Sequence, residues 1–131
     1  MATDKNIKVL IVDDSLIARR FIRIYLGKMQ ITNTVEVPNV RTAFEELNKG
    51  GIDLILSDWN MPGSSGLAFL KAVRSDESFK NIPFVMVTAE GLKGSIAEAF
   101  SAGVTHYILK PYTYETFRKE IESLFKNERR R

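Results

Sequence analysis

The chain has 131 residues, of which 44% are hydrophobic and none is cysteine, so it is long enough to form one domain with its own core. No apolar run approaches the roughly 20 residues of a membrane span, and residues 1–8 lack the apolar centre of a signal peptide, so we expect a cytoplasmic protein. The net charge of +3 comes from residues 126–131, which carry four basic residues and one acid and leave 15 of each sign in residues 1–125. Such a short terminal run is typical of a solvated, disordered tail, so we expect no nucleic-acid partner.

Apolar segments of strand length alternate along the chain with segments of helical periodicity. The predicted strands are residues 8–12, 34–37, 54–56, 84–87 and 106–109. The first helix is predicted to follow a cap at Ser15 and to end at Met29. Ile17, Phe21 and Ile24 are spaced i, i+4 and i+7, so they share one face of this helix. Its arginines lie largely on the other faces.

Four more helical segments are predicted, one after each of the other strands. They are residues 40–48, residues 67–74, a segment marked by Ile96 and Phe100, and a last one striped by Phe117, Ile121, Leu124 and Phe125. A crossover between parallel strands needs a connection of helix length, so this alternation predicts a parallel sheet covered by helices on both faces. We expect a single α/β domain without a fused output domain.

Polar residues stand where four of the predicted strands end. Asp13 and Asp14 follow the first strand and Asp58 follows the third, while Thr88 and Lys110 follow the fourth and fifth. The carboxyl ends of parallel strands meet at one edge of a sheet, where ligands bind in open α/β folds. We therefore expect these five side chains to share one pocket.

Three clustered carboxylates repel one another, and Lys110 supplies only one compensating charge. A hard divalent cation would remove the deficit, and Mg²⁺ fits because it takes oxygen ligands and is usually shared with a phosphate. A chain with no cysteine and a single histidine does not favour zinc. Asp58 can then act as a carboxylate nucleophile towards a phosphoryl group.

Four short segments carry a resemblance to a known family. They are Val12-Asp13-Asp14-Ser15, Ser57-Asp58-Trp59-Asn60-Met61-Pro62, Val87-Thr88-Ala89-Glu90 and Tyr107-Ile108-Leu109-Lys110-Pro111. In this order and spacing the chain resembles the receivers of two-component response regulators, in particular the single-domain members that act in chemotaxis. The likeness extends over about residues 8–125.

The resemblance implies a flavodoxin-like (βα)5 three-layer sandwich whose five-stranded parallel sheet has the order 2-1-3-4-5. Residues 1–125 would form the receiver domain, and residues 126–131 the basic tail. Asp58 would be the phosphoacceptor, with Mg²⁺ as cofactor. The implied metal ligands are Asp13, Asp14, Asp58 and the backbone carbonyl of Asn60.

The resemblance also implies roles for residues around the phosphoacceptor. Thr88 and Lys110 would contact the phosphoryl group, and the Lys110-Pro111 bond would be cis. Tyr107 would be the switch aromatic that turns inward as Thr88 moves. Dephosphorylation would be tuned by Asn60 and Glu90. The output face would comprise the fourth helix, fifth strand and fifth helix, with Lys93, Tyr107 and Arg118.

The expected function is a phosphorylation-dependent switch, not an enzyme, that assists its own phosphorylation and dephosphorylation. A sensor histidine kinase would donate the phosphoryl group, the flagellar motor switch is the expected target, and a phosphatase is a further candidate partner of the monomer. A phosphate sink or a relay intermediate would use the same site. An aspartyl-phosphate phosphotransferase enzyme is a remote alternative, because Asn60 stands where the haloacid dehalogenase group has a second acid. A flavin carrier is rejected because Asp13-Asp14-Ser15 replaces its phosphate loop.

Overall fold

The computed structural model describes residues 6–129, with side chains described to residue 125. Strands and helices alternate strictly along this part of the chain. The strands are β1 (Val9–Val12), β2 (Thr34–Val37), β3 (Leu54–Ser57), β4 (Phe84–Thr88) and β5 (His106–Leu109). The helices are α1 (Leu16–Lys28), α2 (Val40–Asn48), α3 (Gly66–Ser75), α4 (Lys93–Ser101) and α5 (Tyr114–Arg129). Every predicted strand and helix is present.

The five strands pair in parallel in one sheet of order β2-β1-β3-β4-β5, which confirms the expected fold. Every residue of β1 and β3 is buried, as expected of apolar strands covered on both faces. The register places Val12 beside both Val37 and Ser57, so these three strands end at the same level of the sheet. The residues that follow β1 and β3 therefore start neighbouring loops.

Apolar side chains form two cores, one on each face of the sheet. Successive strand residues point to opposite faces, so Ile11 joins one core and Leu10 the other. The first core is closed by α1 and α5, through Ile22, Leu26, Phe117 and Ile121. The second is closed by α2, α3 and α4, through Leu47, Phe69, Val73 and Ala99. The result is the predicted three-layer arrangement.

The face of helix α1 that packs against the sheet is not the face with the most regular apolar spacing. Ile17, Phe21 and Ile24 do share a face, but that face meets solvent, with the three residues 69%, 53% and 57% exposed. Ile22 and Leu26 enter the core instead. Because α1 is apolar around much of its circumference, a period of 3.6 residues fits two faces, and packing against β1 selects one of them. The apolar stripe remains on the surface.

The helix ends follow local capping signals. Ser15, as predicted, and also Asn39 and Ser65 accept a backbone N–H in the first turn of α1, α2 and α3. Helix α5 continues to Arg129, four residues into the segment predicted to be a disordered tail, since no glycine or proline interrupts it before that point. Residues 130–131 of that segment lie outside the described residues. Within residues 6–129, no helix is long and apolar enough to cross a membrane.

Candidate functional site

The three acids placed at the sheet edge by the sequence lie close together. One carboxylate oxygen each of Asp13, Asp14 and Asp58 falls within 4.8 Å of the others. The parallel pairing of β1 with β3 brings their loops side by side, and the Asp58 backbone N–H donates to the Val12 carbonyl at 2.9 Å. This main-chain bond fixes the relative position of the two loops.

Asp13 is the buried member of this cluster, with 1% of the residue exposed. Its Oδ1 accepts the backbone N–H of Ser15, and its Oδ2 accepts Nζ of Lys110, both at 2.9 Å. Burial raises the pKa of Asp13 above its ordinary value, although the Ser15 N–H and the Lys110 ammonium act in the opposite direction. A second positive charge at this position would therefore favour the ionised carboxylate.

Asp58 is held by hydrogen bonds at both its side chain and its main chain. Its Oδ1 accepts the backbone N–H of Trp59 at 2.6 Å, and its carbonyl oxygen accepts the Ser57 hydroxyl at 2.9 Å. Its Oδ2 lies 3.6 Å from Nζ of Lys110, and the side chain is 12% exposed. Asp58 thus presents an oriented carboxylate beside a fixed cation, which is what a nucleophile for phosphoryl transfer requires.

The donor set of the cluster fits a hard divalent cation. All three clustered side chains are carboxylates, and Asp14 is exposed whereas Asp13 is buried, so the group opens to solvent on one side. Mg²⁺ prefers oxygen ligands and keeps several of its waters, which an open carboxylate site allows. These acids would hold the ion, joined by the carbonyl of the exposed Asn60, whose part in the metal site stays a prediction.

Thr88 and Tyr107 are connected through the main chain of Glu90. Thr88 ends β4 and is completely buried, and its hydroxyl accepts the Glu90 backbone N–H at 3.2 Å. The carbonyl of the same Glu90 accepts the Tyr107 hydroxyl at 2.7 Å. Burial, reinforced by the negative charges of Glu90 and Asp58, raises the pKa of Tyr107 to about 12. The phenol is therefore a neutral hydrogen-bond donor at neutral pH.

The remaining predicted residues lie on α4, β5 and α5 or next to them. Lys93 begins α4 and is exposed. Arg118 forms ion pairs within α5 with Glu115 and with Glu122, the latter at 2.9 Å. A partner of this face would therefore meet an exposed lysine but would have to compete with two glutamates for the guanidinium. The Lys110-Pro111 bond beside this face is cis, as predicted.

Two residues without a role in the sequence analysis support the acids. Ser57 is buried, and its hydroxyl fixes the Asp58 carbonyl. The only sequence signal for this role is a serine at the end of an apolar strand, next to an acid. Arg19 donates from Nη1 to the Asp13 carbonyl at 2.6 Å. Nothing in the spacing of the α1 arginines distinguishes Arg19 from its neighbours, because its function depends on the face that packing selects.

The chain also matches a known protein family over most of its length. The family model for the response regulator receiver domain matches residues 9–122. The chain therefore belongs to the response regulator receivers, as its four sequence segments predicted.

Individual relatives narrow this assignment to a CheY-like regulator. The chain is 44% identical to the chemotaxis protein CheY of Pseudomonas aeruginosa over 118 residues, which span 90% of this chain and 95% of the relative. It is 42% identical to CheY-3 of Vibrio cholerae over 122 residues, spanning 93% and 94% of the two chains. Among solved structures, the chemotaxis response regulator CheY4 of Vibrio cholerae superposes with a TM-score of 0.82 at 32% identity, covering 90% of this chain and 98% of that one.

Proposed function

We propose that this chain is a phosphorylation-activated switch in which Asp58 accepts a phosphoryl group from a sensor histidine kinase. The observation that carries the proposal is the position of Asp58, clustered with Asp13 and Asp14 and 3.6 Å from the Lys110 ammonium. Such a site combines an oxygen nucleophile, a place for a hard cation and a fixed positive charge. Membership in the receiver family and the similarity to CheY support the same conclusion.

The transfer step needs little beyond positioning and charge. A carboxylate oxygen of Asp58 attacks the phosphorus of the donor's phosphohistidine, so a P–O bond forms while the P–N bond breaks and the nitrogen keeps its electron pair. Bound Mg²⁺ supplies charge neutralisation on the transferring group. Lys110 and the Thr88 hydroxyl donate hydrogen bonds to the other phosphoryl oxygens. No general base is required, since the nucleophile is a carboxylate, and we propose that the chain turns over no external substrate.

The link through Glu90 supports a route from phosphorylation to the output face. When the Thr88 hydroxyl turns to a phosphoryl oxygen, it leaves the Glu90 backbone N–H that it now accepts. The carbonyl of Glu90, in the next peptide unit, holds the Tyr107 hydroxyl, so movement of the Glu90 backbone would change the position of Tyr107. Phosphorylation then shifts a conformational equilibrium of the surface formed by α4, β5 and α5.

The surface beside the site supports docking of the phosphodonor on α1. Four apolar residues of this helix are between 51% and 69% exposed: Leu16, Ile17, Phe21 and Ile24. A groove of about 330 Å³ runs between the helix and Pro111-Tyr112, and Ser15 and Lys110 at its edge connect it to the acids. An exposed apolar patch of this kind marks an interaction site.

Geometry favours the kinase as the occupant of this patch. A phosphohistidine can reach Asp58 only if the protein that carries it lies against the carboxyl edge of the sheet, and α1 starts at that edge. Helix α1 contains three arginines and a lysine but no acid. The complementary partner is therefore an apolar helical surface with acidic residues at its border.

We propose the flagellar motor switch as the target of the output face, on the basis of the similarity to chemotaxis regulators. A fluorescent peptide from the motor switch protein should bind more tightly in the presence of Mg²⁺ and beryllium fluoride, which mimics the phosphoryl group. Trp59 emission reports occupancy of the site independently, and Asp58→Asn is the control that should respond to neither addition. Occupancy without tighter peptide binding would contradict the motor target and favour a phosphate sink or relay role.

Docking on α1 is tested by comparing two phosphodonors. Phe21→Ser should lower kcat/KM for phosphorylation by the kinase about thirtyfold, because burial of a phenylalanine contributes about 2 kcal/mol, but should leave phosphorylation by acetyl phosphate unchanged. Phe100→Ser is the matched control, since Phe100 on α4 is 51% exposed against 53% for Phe21. A slower kinase reaction in the Phe100 variant alone would place the donor on the output face and contradict docking on α1.

A further inference from the structure

Asp13 and the peptide that joins it to Asp14 are held in place from several sides. The Asp13 backbone N–H donates to the Val37 carbonyl at 3.1 Å, and its carboxylate is bonded to Ser15 and Lys110. The Asp13 carbonyl oxygen accepts Nη1 of Arg19 at 2.6 Å. Among the contacts of the described residues, this last bond fixes the rotation of the peptide plane between Asp13 and Asp14.

Arg19 is itself fixed by an acid on the neighbouring strand. Its Nε lies 3.2 Å from Oε1 of Glu36, and the two side chains are only 14% and 16% exposed. Glu36 belongs to β2 and pairs in the sheet with Ile11 of β1. Arg23 shares the same carboxylate at 3.4 Å. The planar guanidinium thus joins α1, the edge strand and the loop that carries the two acids.

We infer that Arg19 is a positioning residue that sets the orientation of Asp14 for metal binding. Asp14 is exposed, so packing does little to fix its side chain, and its direction depends on the preceding peptide plane. Holding the Asp13 carbonyl stops that plane from rotating. The inference rests on the proposed function, because it concerns the same Mg²⁺ site.

Electrostatics alone makes the opposite prediction for loss of Arg19. Removing a cation near three carboxylates, and leaving Glu36 with less compensation, would make the region more negative and tighten binding of a divalent cation. Loss of position would weaken binding, since groups that orient metal ligands typically contribute about 10-fold or more to affinity. The sign of the change therefore distinguishes the two effects.

The experiment measures Mg²⁺ affinity by titrating Trp59 fluorescence. Arg19→Met should raise the Mg²⁺ dissociation constant about tenfold. Arg19→Lys keeps the charge but lacks the planar guanidinium that binds both the Asp13 carbonyl and Glu36, so it should raise the dissociation constant by a smaller factor. At saturating Mg²⁺, phosphorylation by acetyl phosphate should return close to the wild-type rate in both variants.

Arg74 provides a matched control at the amino ends of the strands, on the side of the sheet opposite the candidate site. It also holds backbone carbonyls, those of Gly103 at 2.9 Å and Ile82 at 2.7 Å, just before β5 and β4. Arg74→Met should lower stability without changing Mg²⁺ affinity. Unchanged or tighter Mg²⁺ binding in the Arg19 variants, or equal weakening in Arg74→Met, would overturn the inference. A wild-type protein that showed no Mg²⁺ response would instead contradict the proposed function.

Discussion

The backbone of Gly66 lies directly against that of Asp58, and this close approach predicts a strong effect of adding one methyl group. A Cβ atom on Gly66 would lie 2.1 Å from the Asp58 carbonyl oxygen and 2.8 Å from the Trp59 Cα. Both obstacles are main-chain atoms, so no side-chain rotation can relieve the overlap. The Gly66 N–H also donates to the Trp59 carbonyl at 2.7 Å, which holds α3 against this loop.

Gly66→Ala must separate α3 from Asp58 by about an ångström, because Cβ atoms in proteins essentially never approach another atom to less than 3.0 Å. Overpacking of this kind costs about 1–3 kcal/mol, and the upper end applies where only backbone can move. For a chain of this length, about 3 kcal/mol corresponds to roughly 10 °C in melting temperature. The displaced Asp58 should also accept the phosphoryl group from acetyl phosphate more slowly.

Urea unfolding of Gly66→Ala and Gly94→Ala tests this reasoning with a single pair of variants. Gly94 lies in the first turn of α4, and beyond its own helix backbone no described atom lies within 4 Å of an added Cβ, so alanine there should raise the free energy of unfolding by about 0.5–1 kcal/mol. The two glycines should thus give changes of opposite sign. Wild-type stability in Gly66→Ala would refute the argument from close approach.

Three further changes test the charges of the site and the switch. Lys110→Ala removes the ammonium 2.9 Å from Asp13 and 3.6 Å from Asp58, so it should accept a phosphoryl group slowly and fail to tighten binding of the target peptide. Mg²⁺ at 100 times its dissociation constant should raise the free energy of unfolding by about 2.7 kcal/mol, and EDTA should reverse this. Because the pKa of Tyr107 is raised to about 12, the unfolded chain releases this proton first as the pH rises above 10, and stability should fall from there. Tyr107→Phe should show a shallower fall in urea unfolding between pH 9 and 11.

The positions of the acids could be predicted because they follow from strand ends alone. The apolar run of β3 stops at Asp58 and that of β1 at Asp13. Because the two strands pair in parallel, both acids must lie at the carboxyl ends of the sheet. Lys110 and Thr88 follow by the same rule. The contacts of Lys110 with Asp13 and Asp58 follow from topology, which periodicity and connection length determine, whereas a place for Thr88 in the same pocket stays a prediction.

The surroundings of these acids could not be predicted in the same way. Two faces of α1 satisfy a helical period, and only contact with β1 decides that Ile22 enters the core while Phe21 meets solvent. Arg19 holds the Asp13 carbonyl because it falls on the packed side. Side chains that bind backbone atoms leave no pairing pattern in the sequence, since every residue carries a carbonyl.

The same limit applies to the proposed coupling between the site and the output face, and it separates two proposed functions of Glu90. The bonds to Thr88 and Tyr107 use the N–H and the carbonyl of one residue, so they persist with almost any side chain there. The carboxylate of Glu90 instead accepts the Leu92 N–H at 3.3 Å. Glu90→Gln should therefore alter the rate of dephosphorylation, where the charge can act on attacking water, while leaving the switch of Tyr107 intact. Loss of target binding in that variant, with normal phosphorylation, would show that the side chain and not the main chain carries the coupling.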